Sequence, residues 1–397
     1  MKLLAYYLPQ FHPIPENDEW WGRGFTEWVN VRRARPLFEG HDHPRVPSDL
    51  GEYDLTDPEV HVAQTELARK YGIDAFCMYF YWFDGVRLLE KPLDAWRGNP
   101  DLLPYCLSWA NEPWTRRWNG RNQDVLMPQT YPERFAERIF GELLPHLRAP
   151  HYLRVDDKPV LVVHRADLIP DPTAFSSTVR DLATAAGLAG LYMVAAETTP
   201  EIDPTALGFD AAAEFPPVGV NRLRNAVRRP LVGLDPAFRG RLVSYERVVQ
   251  HYLSRPRPSF VRHRGVMPSW DNSARRGAKA TVYLGHSPRA YQRWLKEALD
   301  SEKSASHDHP MVFINAWNEW AEGAYLEPDR THGHRNLEAT AAARNGELPS
   351  AARHDDREEP RGAWSRAHLR SLALLAAGGA LARARAVRNR STAWRRR

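Results

Sequence analysis

The stretch Phe313–Pro328 reads FINAWNEWAEGAYLEP, and it decides which fold this sequence specifies. It begins as an apolar run that is typical of a buried strand. It then delivers two carboxylates three residues apart, Glu319 and Glu322, among tryptophans, a tyrosine and a glycine. Parallel strands in a barrel place functional groups at their carboxyl ends, so this stretch predicts a strand that leads into an active site.

Seven further apolar runs have the length and composition of strands. The eight predicted strands are Lys2–Leu8, Ile73–Trp82, Pro104–Trp109, Pro159–His164, Leu191–Glu197, Phe209–Phe215, Gly265–Asp271 and Met311–Trp317. Helical periodicity predicts helices between them at Asp57–Tyr71, Pro132–Leu147, Pro172–Ala186, Tyr245–Ser254 and Pro288–Ser301. Eight strands alternating with helices predict an α/β fold, a closed (β/α)8 TIM barrel. A doubly wound open sheet is the alternative, which the absence of a glycine-rich phosphate loop after the first strand disfavours.

The charge of the chain is unevenly distributed. Of 54 basic side chains among 397 residues, ten arginines lie at positions 361–397, where there is no acidic residue. The other 360 residues carry 44 basic and 49 acidic side chains, so this part of the chain has a net charge of −5. An acidic body gives no reason to expect a nucleic-acid partner. We predict a catalytic barrel over residues 1–342, followed by a linker and an arginine-rich C-terminal tail over residues 343–397.

The sequence predicts a cytoplasmic protein. The N-terminus has no secretion pattern, and no run approaches the roughly 20 apolar residues that span a membrane. Cys77 and Cys106 lie in apolar runs, which favours buried thiols over a disulfide. In the tail, Leu372–Ala382 is too short to span a bilayer. Its arginine flanks suit either a helix lying on the inner face of the membrane or a disordered extension.

Aromatic and polar side chains cluster at the predicted strand ends, where the active site of a barrel lies. A sugar ring stacks on tryptophan or tyrosine, and its hydroxyls take hydrogen bonds from amides and carboxylates. The predicted substrate-binding residues are Tyr6, Tyr7, Gln10, Trp28, Tyr81, Trp82, Trp109, Asn111, Glu112, Trp270, Asp271, Asn318 and Trp320. Side chains alternate along a strand, so only one of Tyr81 and Trp82 can face the barrel mouth.

The predicted catalytic residues are Glu319 and Glu322. Making or breaking a glycosidic bond requires two carboxyl groups in different protonation states, and neighbouring carboxylates push their pKa values apart. Glu112, beside Asn111, is the alternative acid. A barrel that binds a glycan without chemistry is a third alternative.

Two histidine pairs have a spacing that occurs in metal sites. They are His41 with His43, and His332 with His334. Neither pair has a third ligand nearby in the sequence, and a pair alone is a weak indication. We therefore predict no metal and no cofactor.

Four segments carry a family resemblance. They read YYLPQFHPIPENDEWWGRGFTEWVNV (6–31), GIDAFCMYFYWFDGVRLLEKPL (72–93), SWANEPWTRRWNG (108–120) and NAWNEWAEGAYLEPD (315–329). These segments resemble the WbsX-type family of bacterial polysaccharide-biosynthesis proteins, described as glycosyltransferases. That family is similar in turn to glycoside hydrolase family 99, the endo-α-mannosidase barrels.

The resemblance implies a (β/α)8 barrel that acts on an oligosaccharide or lipid-linked glycan in cell-surface polysaccharide or lipopolysaccharide metabolism. The hydrolases carry an Asn-Glu-Trp-x-Glu motif, which falls here on residues 318–322. By resemblance, Glu319 deprotonates the sugar's own 2-hydroxyl and Glu322 protonates the leaving oxygen. Ala321 stands where the hydrolases commonly have histidine, which leaves both hydrolysis and transfer open.

Overall fold

The computed structural model describes residues 1–115, 124–199, 202–220, 231–305 and 307–349. Its centre is a ring of eight strands. They are β1 (Lys2–Tyr7), β2 (Ala75–Phe83), β3 (Tyr105–Trp109), β4 (Lys158–Val163), β5 (Tyr192–Glu197), β6 (Ala211–Glu214), β7 (Arg262–Val266) and β8 (Met311–Ile314). Each strand pairs in parallel with the next, and β8 pairs with β1. The predicted closed (β/α)8 barrel is therefore confirmed.

Helices surround this ring. In the described part of the chain they are α1 (Pro15–Trp21), α2 (Glu27–Arg33), α3 (Pro58–Lys70), α4 (Glu90–Gly98), α5 (Phe135–Leu147), α6 (Pro172–Ala185), α7 (Tyr245–Leu253), α8 (Ser273–Arg276), α9 (Pro288–Lys303) and α10 (Arg335–Arg344). Shorter 3-10 turns lie at Ala166–Leu168, Thr205–Leu207, Gly277–Lys279 and Trp320–Glu322. Minor strands lie at Val86–Leu88, Trp114–Thr115, Val125–Met127, Arg154–Val155, Arg241–Ser244, Thr281–Leu284, Asn318–Glu319 and Ala324–Tyr325.

Capping residues explain where three of the predicted helices begin. The side chains of Asp57, Asp171 and Ser287 accept hydrogen bonds from backbone N–H groups in the first turns of α3, α6 and α9. Proline follows each cap, where its missing N–H is not needed by the helix. The sequence predicted where these three helices begin. The predicted and observed first residues agree to within about two residues, which is the usual uncertainty of helix ends.

Strand β2 shows how the barrel uses both faces of a strand. Tyr79 points inward and stacks on Tyr6 of β1, with ring centroids 5.8 Å apart. Trp82 points outward and packs against Trp109, with centroids 6.0 Å apart, and Trp109 contacts Phe175 of α6. Because the interior and the helix layer both exclude water, β2 is buried along its whole length. That burial explains its continuous apolar sequence.

Strand β7 corrects the predicted strand Gly265–Asp271. The observed strand starts three residues earlier and ends at Val266. Its first residues include Arg262 and Arg264, and charged side chains are uncommon in a buried strand. Arg264 is buried and pairs with Glu214 of β6 at 3.1 Å, so its charge is compensated inside the protein.

The two cysteines lie opposite each other on β2 and β3. Cys77 and Cys106 are register partners, and both are free and buried. Helix α10 belongs to the barrel, because Arg344 Nη1 pairs with Asp74 Oδ2 at 2.6 Å. The predicted boundary at residue 342 thus falls inside α10, and most of the predicted tail, including residues 350–397, lies outside the described residues. Among the helices of the described ranges, none has the length and apolar character needed to cross a membrane.

Candidate active site

A cavity of about 530 Å³ lies at the carboxyl ends of the barrel strands. Aromatic side chains and charged or amide side chains share its wall. Those used below are Gln10, Trp21, Tyr79, Tyr81, Glu112, Trp114, His164, Trp270, Arg275, Arg276, Glu319 and Glu322. The cavity therefore combines flat apolar surfaces with hydrogen-bonding groups of both charges.

One guanidinium contacts both predicted catalytic carboxylates. Arg275 Nη2 donates to Glu319 Oε2 at 3.1 Å, and its Nη1 donates to Glu322 Oε1 at 2.6 Å. The Nε of Arg275 donates to Glu27 Oε2 at 3.2 Å. A single cation thus joins three carboxylates, and the two predicted catalytic ones lie on the cavity wall.

The acid pair has an unusual electrostatic environment. Burial raises the pKa of Glu319 to about 8; Arg275 opposes this rise, and Glu322 and Glu27 add to it. Burial also raises the pKa of Glu322, again against the opposing effect of Arg275. Three carboxylates around one guanidinium, with Glu27 and Glu319 buried and Glu322 half-buried, carry excess negative charge, which a bound proton relieves. A pair with one protonated and one ionised carboxyl can act as acid and base.

Local chain geometry holds the acid pair in place. Asn318 is buried and exchanges two hydrogen bonds with the backbone of Leu8, with its Oδ1 at 2.7 Å from the Leu8 N and its Nδ2 at 3.0 Å from the Leu8 O. This contact fastens the segment after β8 to the end of β1. The following 3-10 turn is closed by Gly323, whose φ of +61° favours glycine.

Glu327 forms a buried network behind the acid pair. Its carboxylate accepts hydrogen bonds from the Tyr53 hydroxyl at 2.8 Å, Gln64 Nε2 at 2.7 Å and Trp320 Nε1 at 2.7 Å. Trp320 in turn stacks on Tyr325, with ring centroids 3.9 Å apart. Burial raises the pKa of Glu327 to about 7. This network links α3 and the first loop to the turn between Glu319 and Glu322.

The structure brings six predicted site residues together on the cavity wall. They are Gln10, Tyr81, Glu112, Trp270, Glu319 and Glu322. Glu112 differs from the acid pair in its surroundings. Its Oε1 pairs with Arg165 Nη1 at 2.5 Å, and its side chain is 34% exposed. Arg165 is also held by Asp167 at 2.8 Å, so Glu112 belongs to a separate ion-pair cluster at the cavity rim.

Nine predicted substrate-binding residues are buried and do not line this cavity. They are Tyr6, Tyr7, Trp28, Trp82, Trp109, Asn111, Asp271, Asn318 and Trp320. Where their polar atoms form hydrogen bonds, the partners are other groups of the protein. The Tyr7 hydroxyl donates to Gln64 at 2.8 Å, and Asn111 Nδ2 donates to the Arg165 carbonyl at 2.8 Å. We therefore leave these nine residues out of the proposed substrate contacts.

Asp271 joins the first histidine pair in a buried cluster. Its Oδ2 lies 2.7 Å from Nε2 of both His41 and His43. Burial alone would raise the pKa of Asp271, but the two histidines and Arg45 hold it well below its usual value. Nδ1 of His41 accepts the backbone N–H of Leu37 at 3.0 Å. Nε2 of His41 therefore carries the proton and has no lone pair for a metal.

The second histidine pair does not converge on a single point. His332 Nδ1 lies 3.2 Å from Asp329 Oδ2, and His334 Nε2 lies 2.7 Å from Asp49 Oδ2. The two side chains thus contact different carboxylates. The ligand atoms of His41, His43 and Asp271 do lie within 4.8 Å of one another, and the absence of a metal stays a prediction.

Sequence reasoning missed several residues of the site. Glu27, Arg275 and His164 contribute buried or partly buried polar groups at or beside the cavity, and Trp114 packs edge-on against Tyr81 with ring centroids 5.0 Å apart. Trp114 and Glu27 lie in segments that carry the family resemblance, which was an available signal. Nothing in the sequence distinguishes Arg275 from the many other arginines.

Comparison with known proteins defines the class of this barrel. A sequence profile of the family described as "Glycosyltransferase WbsX" matches residues 3–340. The matched residues run from β1 into α10 and so include the whole strand ring. The chain belongs to the glycosyltransferase WbsX family.

Two curated relatives, each described as "Uncharacterized protein WxcX", come from two strains of Xanthomonas campestris pv. campestris. Both are 45% identical over 343 residues, which is 86% of this chain and 49% of the relative. The chain thus spans about half the length of the curated relatives it matches.

Two solved structures share the fold. A "Glycoside hydrolase-like protein" has a TM-score of 0.54 and 13% identity, over 86% of this chain and 93% of that one. The family 99 endo-alpha-mannosidase from Bacteroides thetaiotaomicron has a TM-score of 0.51 and 14% identity, over 86% and 96%. At this low identity, the similarity establishes the barrel fold alone.

Proposed function

We propose that this enzyme makes or breaks a glycosidic bond in a cell-surface polysaccharide or lipopolysaccharide, by a retaining mechanism that uses Glu319 and Glu322. The supporting observation is that both carboxyls line one cavity and are joined by the same guanidinium, Arg275. Tyr81 and Trp270 supply aromatic faces in the same cavity, on which a sugar ring can stack.

The acid pair titrates as a unit, and the reactive form holds its proton on Glu322 and leaves Glu319 ionised. In the first step, Glu319 acts as the base. It takes the proton of the sugar's own 2-hydroxyl, and that oxygen attacks the anomeric carbon. The glycosidic bond breaks as Glu322 gives its proton to the departing oxygen. The product is an anhydro sugar with the configuration at the anomeric carbon inverted.

In the second step, Glu322 acts as the base. It takes a proton from water or from an acceptor sugar hydroxyl, whose oxygen attacks the anomeric carbon and opens the anhydro ring. Glu319 returns its proton to the 2-oxygen. Two inversions give net retention, and the acceptor alone decides between hydrolysis and transfer.

The direct test is Glu322→Gln, which keeps the shape of the side chain and removes the transferable proton. We expect turnover of α-linked oligosaccharides to fall by roughly 10²- to 10⁴-fold. The matched control is Glu66→Gln, at an exposed position on α3. Unchanged turnover in Glu322→Gln contradicts the proposal. Full-strength oligosaccharide binding by the wild type, without turnover of any acceptor tried, indicates a glycan-binding barrel instead.

Glu112 is the competing general acid, because it lines the same cavity. Substrates with good leaving groups distinguish the two, since a leaving group that needs no proton restores activity only when the true acid is missing. We expect such substrates to rescue the first step in Glu322→Gln and to give no selective rescue in Glu112→Gln. The reverse pattern assigns the acid role to Glu112.

A further inference from the structure

We propose that Glu27 and Arg275 are positioning residues that set which protonation state the acid pair adopts. This inference rests on the proposed function of Glu319 and Glu322. It adds to the site a carboxylate from α2 and a guanidinium from α8. These two helices lie in loops that are far apart in the sequence.

The geometry is that of a three-way clamp. Each nitrogen of the planar guanidinium of Arg275 meets a different carboxylate: Nε meets Glu27 at 3.2 Å, Nη1 meets Glu322 at 2.6 Å and Nη2 meets Glu319 at 3.1 Å. A guanidinium is rigid and offers donors in fixed directions. Fixing Nε therefore fixes the directions in which the other two nitrogens hold the acid pair.

Glu27 is suited to anchor this clamp. It is fully buried at the first position of α2, and its backbone N–H donates to the Gln10 carbonyl at 3.1 Å. It does not line the cavity and so lies behind Arg275 rather than beside the substrate. A buried carboxylate in this position contacts the arginine, and its charge acts on both carboxyls of the acid pair without touching the substrate.

The charges facing the acid pair explain why the clamp needs Glu27. Arg275 in contact with Glu322 favours the ionised form of that carboxyl, which is the wrong form for a general acid. The negative charge of Glu27 offsets the guanidinium and raises the pKa of both catalytic carboxyls.

Other side chains on neighbouring elements also face the acid pair, and their effect on its protonation can be stated for each. Arg276, exposed on α8, lowers the pKa of Glu322. Tyr79 and Tyr81 of β2 have pKa values raised by burial and stay neutral. Glu27 is therefore the charge outside the acid pair that favours a retained proton on Glu319 and Glu322.

The experiment is a pH profile of kcat/KM for Glu27→Gln, which removes the charge and keeps the size. We expect the alkaline limb, where the general acid loses its proton, to move to lower pH by about 1 unit. Glu66→Gln should keep the wild-type profile. A folded Glu27→Gln with an unshifted alkaline limb overturns the proposal.

Two further measurements keep the test decisive. Carbon-13 NMR titration of the glutamate carboxyls, compared between the wild type and Glu27→Gln, needs no substrate and should show the same shift. Glu27→Asp retains the charge, so it should keep the wild-type pH limb with a lower kcat, and a shifted limb in this variant also overturns the proposal. A loss of activity in Glu322→Gln with no shift in Glu27→Gln rejects this inference alone, whereas full activity in Glu322→Gln rejects the proposed function.

Discussion

Buried polar side chains, more than aromatic ones, determine where the acid pair sits. Asn318 was expected to bind substrate, yet both ends of its amide are occupied by the backbone of Leu8. Trp320 was expected to stack on a sugar, yet its indole N–H is committed to Glu327. The residues next to Glu319 and Glu322 therefore hold the loop, and the aromatic wall of the cavity comes from other strands.

Glu327 gives a testable case at this scale. Its pKa is raised to about 7 in the folded protein, so the folded state holds the proton more tightly than the unfolded chain. The stabilisation is complete below the ordinary glutamate pKa and is lost as pH rises through about 7. We expect the free energy of unfolding to fall between pH 5 and pH 8, and Glu327→Gln to remove up to about 3 kcal/mol of that fall.

Urea unfolding at four pH values, in the wild type and in Glu327→Gln, measures this difference. Glu66→Gln should retain the wild-type slope. The raised pKa of Glu319 also lowers the free energy of unfolding as pH rises. Comparing the wild type with the variant at each pH therefore isolates the part that comes from Glu327. An identical pH dependence in both proteins shows that Glu327 is ionised in the fold.

The sequence identified the acid pair at residue level but not its partners. Glu319 and Glu322 lie in one short motif, so their proximity is local. Arg275 and Glu27 are separated by 248 positions and meet only because the loops after β1 and β7 converge. Such a contact depends on the closed ring, which no local pattern encodes. Tyr81 and Trp82 illustrate the same limit, since alternation showed that one faces inward but not which one.

At the scale of elements, strands buried on both faces were the easiest to predict. Their apolar runs are continuous, and seven of the eight lay close to their predicted positions. Strand β7 was misplaced because Arg264, which is buried and pairs with Glu214, looks like a loop residue in a sequence. Short helices such as α1, α2 and α8 have too few turns to show periodicity, and they are the elements that bring Trp21, Glu27 and Arg275 to the site.

The 3-10 turn between the two acids depends on Gly323. Its φ is +61°, and an added Cβ would lie 2.9 Å from Arg45 Nη1 and 3.0 Å from the Cβ of Asp271. We expect Gly323→Ala to destabilise the fold by more than about 1 kcal/mol and to reduce kcat by displacing Glu322.

Gly333→Ala is the matched control for this turn. Gly333 has a φ of +58°, but a Cβ added there would have no heavy atom of another part of the described chain within 4 Å, so this variant reports the backbone cost without the contact. Thermal unfolding and kcat of the two variants separate these effects. Equal losses in both show that the contact with Arg45 and Asp271 is unimportant.

At the scale of the whole molecule, the described barrel ends in α10, and the basic tail follows it. The tail gives the prediction that concerns membranes and lipid-linked substrates. We expect the full chain to bind vesicles containing anionic lipid, and a shortened chain ending at Leu348 not to bind them, because arginines near a membrane surface each contribute about 1 kcal/mol.

Vesicle sedimentation measures this, with zwitterionic vesicles as the control. Added salt should weaken binding of the full chain, because the attraction is electrostatic. Equal binding of both chains, or none by the full chain, contradicts a membrane role for residues 349–397.

The pairing of β8 with β1 has a consequence for how the barrel closes during protein synthesis. During translation, the edge of β1 that pairs with β8 stays unpaired while about three hundred residues are synthesised. An open strand edge is prone to wrong pairing, so β1 needs protection during that interval. The acid pair follows β8 directly in the sequence. It therefore emerges from the ribosome at about the time when β8 can pair with β1 and close the barrel. Under the proposed function, incomplete chains therefore lack the acid pair, and glycosidic-bond chemistry can begin only once synthesis has passed the final barrel strand.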